Sequence, residues 1–163
     1  MIKIVKEPVE RICQGDIFSN VELIEYADIN KDGIVEISKI SFPYVVVLTQ
    51  DCDLEQDFNS RLKTERANED KHILSVIVAP LYNIEHVYGG EHLSELNFRM
   101  QTISSKPGKS DNKFLRNNQN PRYHFFEFPG DIQIVNSIAD FKHYFTVNNN
   151  YLKSQKPDNY VGK

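Results

Sequence analysis

The sequence predicts a mainly β protein, built as a small barrel or sandwich with short helical insertions. Short runs of β-branched and aromatic residues recur along the chain, and turn-forming residues separate them. No long helical pattern lies between these runs, as the crossovers of a parallel sheet would require. With 163 residues, 40% of them hydrophobic, the chain is long enough for one real core, so we expect a single domain.

The N-terminal half predicts three strands. Ile17–Tyr26 predicts a strand, or a strand pair broken near Ser19-Asn20. It is followed by Asn30-Lys31-Asp32-Gly33, whose Asp-Gly pair tolerates the positive φ of a hairpin turn. Alternating apolar residues predict the next strand over Ile34–Ile40. Tyr44–Leu48 is the most apolar run, and its three consecutive valines favour a buried central strand.

The middle of the chain predicts fewer regular elements. Leu54–Lys71 is highly charged and indicates a surface loop or a short exposed helix. Ile73–Ala79 predicts a short buried strand that stops at Pro80. The spacing over Tyr82–Met100 favours a short helix with a break at its paired glycines, and Ser105–Pro121 is polar and predicts a loop.

At the C-terminal end, Tyr123–Phe128 alternates and predicts a strand. Asn148–Lys163 is polar, which leaves a short helix or a frayed tail as alternatives. We therefore expect one domain over residues 1–150, with a polar tail over residues 151–163.

Positive charge is concentrated in one segment, Phe98–His124. The whole chain has a formal charge of −4, but this segment has six basic residues and one acid, Asp111, for a charge of +5. Basic residues interleaved with aromatic ones suit phosphate contact and base stacking, and the alternative is a solvated loop. The candidate nucleic-acid-binding residues are Lys106, Lys109, Lys113, Arg116, Arg122, Tyr123 and His124.

The polar segment after the valine strand, Thr49-Gln50-Asp51-Cys52-Asp53-Leu54-Glu55, is the strongest local feature. Asp51, Asp53 and Glu55 are oxygen ligands that suit Mg²⁺ or Ca²⁺, although the spacing and glycine of an EF-hand loop are missing. Cys52 is a candidate thiol nucleophile, but its acidic neighbours disfavour the thiolate. The third interpretation is structural, with Gln50 and Asp51 capping a turn and Cys52 filling a small apolar gap. The fourth is that Gln50, Asp51 and Asp53 contact a ligand without catalysis.

Motifs for other chemistries are absent from the sequence. The five histidines lack zinc-binding spacing, and two cysteines make neither a disulfide scaffold nor a four-cysteine zinc site. There is no P-loop, dinucleotide-binding or nucleophile-elbow motif. We therefore expect neither a metal nor a cofactor. No apolar run has the length of a membrane span, and no signal peptide is recognised, so the expected location is the cytoplasm.

Four short segments, in order along the chain, resemble the MazF/PemK toxin family. Gly15-Asp16-Ile17-Phe18 is similar to the family's opening strand, and Pro43–Asp51 to its central strand and the turn after it. Ser75–Leu81 resembles a third strand, and Ser137–Val147 resembles the closing helix and strand. The resemblance implies an SH3-like β-barrel, a homodimer, and insertions near residues 54–71 and 96–121.

The resemblance also implies RNA cleavage, but the sequence departs from the family at the catalytic positions. The family's arginine before the central-strand proline stabilises charge on the phosphate, and here that position is Phe42. Ser75 stands where the family has a threonine and keeps a hydroxyl. Arg116 or Arg122 would have to replace the missing cation, so the catalytic candidates are Ser75, Arg116 and Arg122.

Three hypotheses for function follow. The first is a divergent MazF/PemK-like protein that binds or cleaves RNA. The second is a non-catalytic interaction or regulatory module on the same barrel, with a protein partner of the antitoxin kind. The third is a cysteine-dependent enzyme in which Cys52 works with His72 or His124.

Overall fold

The computed structural model describes residues 10–63, 69–130 and 132–163. These residues form seven β-strands and four short α-helices, which confirms the predicted mainly β class. None of the described helices has the length and apolar character that crossing a membrane requires. The strands are β1 (Ile17–Ile29), β2 (Val35–Val47), β3 (Ser75–Asn83), β4 (Tyr123–Phe126), β5 (Ser137–Asp140), β6 (Phe145–Asn148) and β7 (Tyr160–Gly162). The helices are α1 (Asp51–Arg61), α2 (Ile84–Gly89), α3 (Ser110–Arg116) and α4 (Asn149–Asn159).

The described residues divide into two compact units, and the chain passes from one to the other along β3. The hairpin unit contains residues 10–78 and 146–163, without the undescribed positions 64–68. The Arg122 unit contains residues 79–145, without the undescribed position 131. Part of the predicted 54–71 insertion, residues 64–68, therefore lies outside the described residues.

The hairpin unit is built on one long antiparallel hairpin of β1 and β2, paired from Ile17 opposite Val46 to Ile29 opposite Val35. The predicted turn closes it. The side chain of Asn30 accepts hydrogen bonds from the backbone N–H groups of Asp32 and Ile34, and Gly33 has φ +77°. A side chain that bonds its own turn and a glycine in the left-handed region are what a tight hairpin needs.

Strand β2 joins what the sequence predicts as two strands. Pro43 lies inside it, opposite Asn20, and no pairing is formed at either residue. Asn20 has φ +54°, so the local irregularity on β1 falls at the position where proline offers no N–H. The valines Val45, Val46 and Val47 are buried as predicted.

The C-terminal residues form α4 and β7, so the helix is the correct alternative for Asn148–Lys163. The side chain of Asn148 caps α4 by accepting from the backbone N–H groups of Asn150 and Tyr151. Strand β7 pairs with the start of β1, where Phe18 lies opposite Tyr160. The helix cap from Asn148 and the pairing of β7 with β1 therefore give this polar sequence a regular structure.

Asp57 links α1 to α4 by hydrogen bonds inside the hairpin unit. Its carboxylate is buried and accepts from Arg61, Asn149 and Lys153, and from the backbone N–H of Ile73, at 2.8–3.0 Å. Burial by itself raises the pKa of Asp57, but these donors outweigh it and hold the pKa below its ordinary value. The charged Leu54–Lys71 segment therefore begins with a helix, one of its two predicted forms.

The Arg122 unit has the strand order β3-β5-β4, with both pairs antiparallel. Its core is a cluster of buried residues from α2, α3 and the strands: Ile84, Val87, Tyr88, Leu115, Tyr123, Phe125 and Ile138. Helix α2 starts where Asn83 accepts from the backbone N–H of Glu85 and ends at Gly90, whose φ is +72°.

Two predictions about this unit are wrong. Strand β3 does not stop at Pro80, because its pairing with β5 begins one residue later, at Leu81, where an N–H is available again. The polar segment Ser105–Pro121 contains a helix, α3, rather than only a loop. Burial of Asn112 and Leu115, three residues apart, holds this helix in place, and two buried positions are too few for a periodicity to be recognised.

The closing segment Ser137–Val147 also differs from what the resemblance implies. It forms two strands, β5 and β6, with a turn between them, instead of a helix and a strand. Four consecutive residues of β5 are buried, from Ser137 to Asp140. A strand covered on both faces satisfies this burial.

Candidate functional site

Arg122 and Asp140 form the centre of the candidate site, in the Arg122 unit. Arg122 donates from Nε to Oδ1 of Asp140 at 2.8 Å and from Nη2 to Oδ2 at 2.6 Å. The sheet register positions them, because Tyr123 lies opposite Asp140 and the backbone of Phe141 donates to the carbonyl of Arg122. The result is a bidentate, charge-assisted pair whose carboxylate has no solvent exposure.

His92 is the second partner of Asp140. Its Nε2 lies 3.1 Å from Oδ2 of Asp140, and its side chain is fully buried. Burial alone raises the pKa of Asp140, but the hydrogen bonds from His92 and Arg122 outweigh it and hold the pKa well below its ordinary value. Asp140 is therefore a permanent anion that fixes the position of the Arg122 guanidinium. Nδ1 of His92 is buried without a hydrogen-bond partner among the described residues.

Aromatic rings enclose this charged cluster. The ring of His92 meets Tyr82 edge-on at 5.2 Å and Tyr123 edge-on at 5.8 Å between centroids. The guanidinium carbon of Arg122 lies 4.9 Å from the centre of the Tyr123 ring. The hydroxyl of Tyr82 is hydrogen-bonded to Nδ1 of His143. Burial raises the pKa of Tyr82, and the charge of Asp140 adds to this, so the phenol stays neutral.

A cavity of about 340 Å³ opens beside Arg122. Phe114 contributes an exposed ring to it, with 45% of its surface accessible, whereas Tyr123 is almost completely buried. The cavity therefore combines a guanidinium, an aromatic face, amides and a carboxylate. Its wall includes Gln101, Asp111, Phe114, Asn120, Arg122 and Tyr123.

Exposed basic residues lie before and within α3, next to this cavity. Lys106, Lys109, Lys113 and Arg116 are spaced three, four and three residues apart, which places Lys109, Lys113 and Arg116 on adjoining turns of one side of the helix. Arg116 is anchored, because its Nε donates to the hydroxyl of Tyr88 and its guanidinium packs over Phe125. Within the described residues, Lys106, Lys109 and Lys113 form no salt bridge and are open to solvent.

His124, also predicted to bind nucleic acid, is half-buried in β4. Its ring packs edge-on against Phe126 at 4.9 Å and lies 6.2 Å from Phe141. Burial lowers its pKa, so the ring is neutral near pH 7. His124 therefore belongs to an aromatic cluster and supplies no positive charge to the basic segment.

The Gln50–Asp53 turn belongs to the hairpin unit and starts α1. Asp51 accepts from both terminal nitrogens of Arg11, at 3.0 and 2.8 Å, and from the backbone N–H of Gln14 at 3.0 Å. The hydrogen bonds from Arg11 lower the pKa of Asp51 to about 2. The Gln50 side chain makes no cap hydrogen bond to the helix. These contacts favour the structural interpretation for Asp51.

The two cysteines have different surroundings. Cys52 is exposed, and its Sγ lies 3.7 Å from Oε1 of Gln50 and 3.8 Å from Oδ1 of Asp53, so the prediction that it fills an apolar gap is wrong. Cys13 is buried, and burial raises the pKa of its thiol. The described contacts of Cys52 include neither a histidine nor a cation, which are the groups that activate a thiol nucleophile.

Ser75 and Phe42 occupy the positions that the resemblance makes catalytic. Ser75 is exposed at the start of β3, and Phe42 is buried in β2, both in the hairpin unit. A buried phenylalanine packs in the core and provides no charge. Arg116 and Arg122 belong to the other unit, so their joint catalytic role with Ser75 stays a prediction.

No group of three or more histidine, cysteine or acidic side chains that could hold a metal ion exists within residues 10–63, 69–130 and 132–163. Asp51 and Asp53 in particular do not form such a group.

Sequence reasoning missed Asp140 and His92, the two partners that organise the site. An acid that ends a short run of small and apolar residues, Ser-Ile-Ala-Asp, is a weak signal, because the same pattern ends many strands at the surface. His92 is 48 residues away from Asp140 in the chain, so no local spacing relates them. Comparisons of the chain with protein-family models, with curated proteins and with solved structures each gave no match.

Proposed function

We propose that the Arg122 unit binds single-stranded RNA, with the RNA backbone along Lys109 and Lys113, at the N-cap and within α3, and a base in the cavity beside Arg122. The observation that supports this most is the cavity itself, where an exposed aromatic ring and a fixed guanidinium lie next to a helix that carries the exposed lysines Lys109, at its N-cap, and Lys113. Single-strand-binding surfaces combine these elements, since cations follow the phosphates and rings stack on the bases.

Each part of the cavity has a role in this proposal. Phe114 provides the stacking face, and the amides of Gln101 and Asn120 offer donors and acceptors to base edges. Arg122 keeps Nε and Nη2 on Asp140, and Nη1 has no acceptor among its described contacts. A guanidinium that is already held in place loses little entropy when it contacts a phosphate or a base.

The proposal is binding and does not include cleavage. Phosphodiester cleavage needs a cation that stabilises the negative charge developing on the phosphate in the transition state. Two of the three nitrogens of Arg122 are committed to Asp140, and Arg116 is held by Tyr88 and Phe125. An RNA ligand agrees with the resemblance to the MazF/PemK family, and the loss of the arginine at Phe42 agrees with a ligand that is bound and not cut.

Fluorescence anisotropy with a short labelled RNA of mixed sequence tests the proposal. The double variant Lys109→Gln/Lys113→Gln should weaken binding and reduce the slope of log affinity against log salt by about 1.4, since each phosphate contact contributes roughly 0.7. The matched control is Lys63→Gln/Lys71→Gln, which removes two exposed lysines from the hairpin unit. It should leave the slope unchanged.

Two results would contradict RNA binding along these lysines, and a third would contradict the base contact. One is a wild-type protein that does not bind single-stranded RNA even at low salt. The other is an equal loss in both double variants, because this would mean that only net charge matters. Equal affinity for duplex RNA, whose bases are stacked and paired, would exclude the base contact in the cavity.

A further inference from the structure

The outer part of the β1–β2 hairpin has one apolar face that no described residue covers. Residues that lie opposite each other in an antiparallel pair share a face, and side chains alternate along each strand. The register pairs Ile24 with Lys39, Ala27 with Ile37 and Ile29 with Val35. Four of these residues are large and apolar, and Ile24, Ile29, Val35 and Ile37 are 53–66% exposed.

A β-bulge creates this face. The register shifts between Ile24 and Tyr26, which leaves Glu25 without an opposite residue on β2, although its side chain accepts from the hydroxyl of Ser38. Ile24 and Ala27 are three residues apart and would face opposite sides in a regular strand. The extra residue brings them to the same side, so the bulge extends the apolar face towards the body of the unit.

The other face of the same hairpin is polar in its outer part. There Tyr26 lies opposite Ser38 and Asp28 lies opposite Glu36. The hairpin is therefore an amphipathic ribbon, with an apolar face of the kind that normally packs against another surface.

We infer that this face pairs with the same face of a second copy of the chain, with the two hairpins antiparallel. The charges at its ends carry this inference. At the base, Glu22 and Lys39 form an ion pair at 3.0 Å, and at the tip the turn carries Lys31 and Asp32. Each end has one acid and one base, so neither repels a second copy.

Antiparallel packing places the tip of each hairpin at the base of the other. Lys31 of one copy then meets Glu22 of the second, and Asp32 meets Lys39. The apolar residues lie between these two ends and are removed from water on both copies. Such a contact is isologous, since the same patch is used twice and the assembly closes at two.

Sedimentation velocity of the full chain over a range of concentrations tests the inference. Wild type should show a reversible dimer, and Ile37→Lys should weaken it by at least about tenfold, as expected for a charge placed in the centre of an apolar contact. The matched control is Tyr26→Lys, which introduces the same charge at similar exposure, 57% against 53%, on the other face. Far-ultraviolet circular dichroism verifies that both variants fold.

A charge reversal tests the antiparallel arrangement. Lys31→Glu and Glu22→Lys should each weaken the dimer, and the double variant should recover most of the loss, because the opposite charges meet again across the interface. A wild type that is monomeric at all concentrations would overturn the inference. So would equal weakening by Ile37→Lys and Tyr26→Lys, or a double variant weaker than either single one. RNA binding uses the other unit, so each proposal can fail while the other stands.

Discussion

Arg122 donates two hydrogen bonds to Asp140, at 2.8 and 2.6 Å, and the carboxylate that receives them has no contact with solvent. Nε2 of His92, 48 residues away in the chain, donates to the same carboxylate. One buried anion thus positions an arginine at a cavity and a histidine behind it. The position of the Arg122 side chain depends on this anion more than on the other basic residues of the Phe98–His124 segment.

Replacing Asp140 should therefore destabilise the protein strongly. Asp140→Ala leaves Arg122 partly buried without its partner and removes the hydrogen bond of His92, and breaking a buried pair in this way costs about 3 kcal/mol or more. Urea denaturation followed by circular dichroism measures the loss. Asp111→Ala, which removes an exposed acid from the same unit, is the control and should change the free energy of unfolding by less than about 0.5 kcal/mol.

Arg11→Gln should change the acid titration of Asp51. Hydrogen bonds from Arg11 lower the pKa of Asp51 to about 2, so ionised Asp51 stabilises the fold above the ordinary carboxyl pKa, and this is lost as the pH falls from about 4 to about 2. In the variant the pKa should rise towards 4, and stability should depend less on pH in that interval. Carboxyl chemical shifts measured by NMR report the pKa directly. An unchanged titration of Asp51 would show that Arg11 does not hold it.

Gly90→Ala should cost more stability than Gly108→Ala. Both glycines have positive φ, +72° and +91°, so alanine is strained at either position by about 1 kcal/mol. At Gly90 the new Cβ would also lie 2.2 Å from the backbone oxygen of Met100, whereas nothing lies near it at Gly108. Thermal denaturation measures both variants: the loss at Gly108 reports the backbone strain alone, and the extra loss at Gly90 reports the steric clash with Met100. Equal losses would mean that the Met100 segment moves away freely.

Leu115→Ala and Phe114→Ala, at neighbouring positions of α3, should affect different properties: the first should lower stability, and the second should lower RNA affinity. Leu115 is completely buried in the core, so its truncation should cost about 3 kcal/mol of stability. Phe114 is exposed at the cavity, so its truncation should leave stability within about 0.5 kcal/mol and weaken RNA binding through the loss of about 1 kcal/mol or more of stacking. Unfolding and anisotropy measurements on both variants are needed. A Phe114→Ala variant with full affinity would exclude this ring as the stacking face.

The two cysteines should react differently with iodoacetamide. The native protein should be alkylated once, at the exposed Cys52, and the unfolded protein twice, because Cys13 is then accessible as well. Mass spectrometry counts the adducts. Cys52→Ala should retain RNA binding and stability, since the sulfur is exposed and its hydrogen-bond partners are the side chains of Gln50 and Asp53. Loss of RNA binding in this variant would revive the hypothesis of a functional thiol.

The sequence by itself determined the elements whose causes are local. The mainly β class, the Asn30–Gly33 turn and the burial of Val45–Val47 follow from turn chemistry and β-branching, and neighbouring residues are sufficient for these effects. The excess of positive charge between Phe98 and His124 is a property of composition and needs no fold. The resemblance to the MazF/PemK family and the predicted roles of Ser75 and Arg116 stay predictions.

Only the tertiary structure decided which residues form the site. Asp140 is 18 residues from Arg122 and 48 from His92, and the sheet register and the packing of α2 bring them together. Strand β3 continues past Pro80, and the polar C-terminal residues become ordered, because hydrogen-bonding partners distant in sequence are supplied at those points. Contacts of this kind depend on the whole chain, since a buried carboxylate is stable only where several separate segments each contribute a donor.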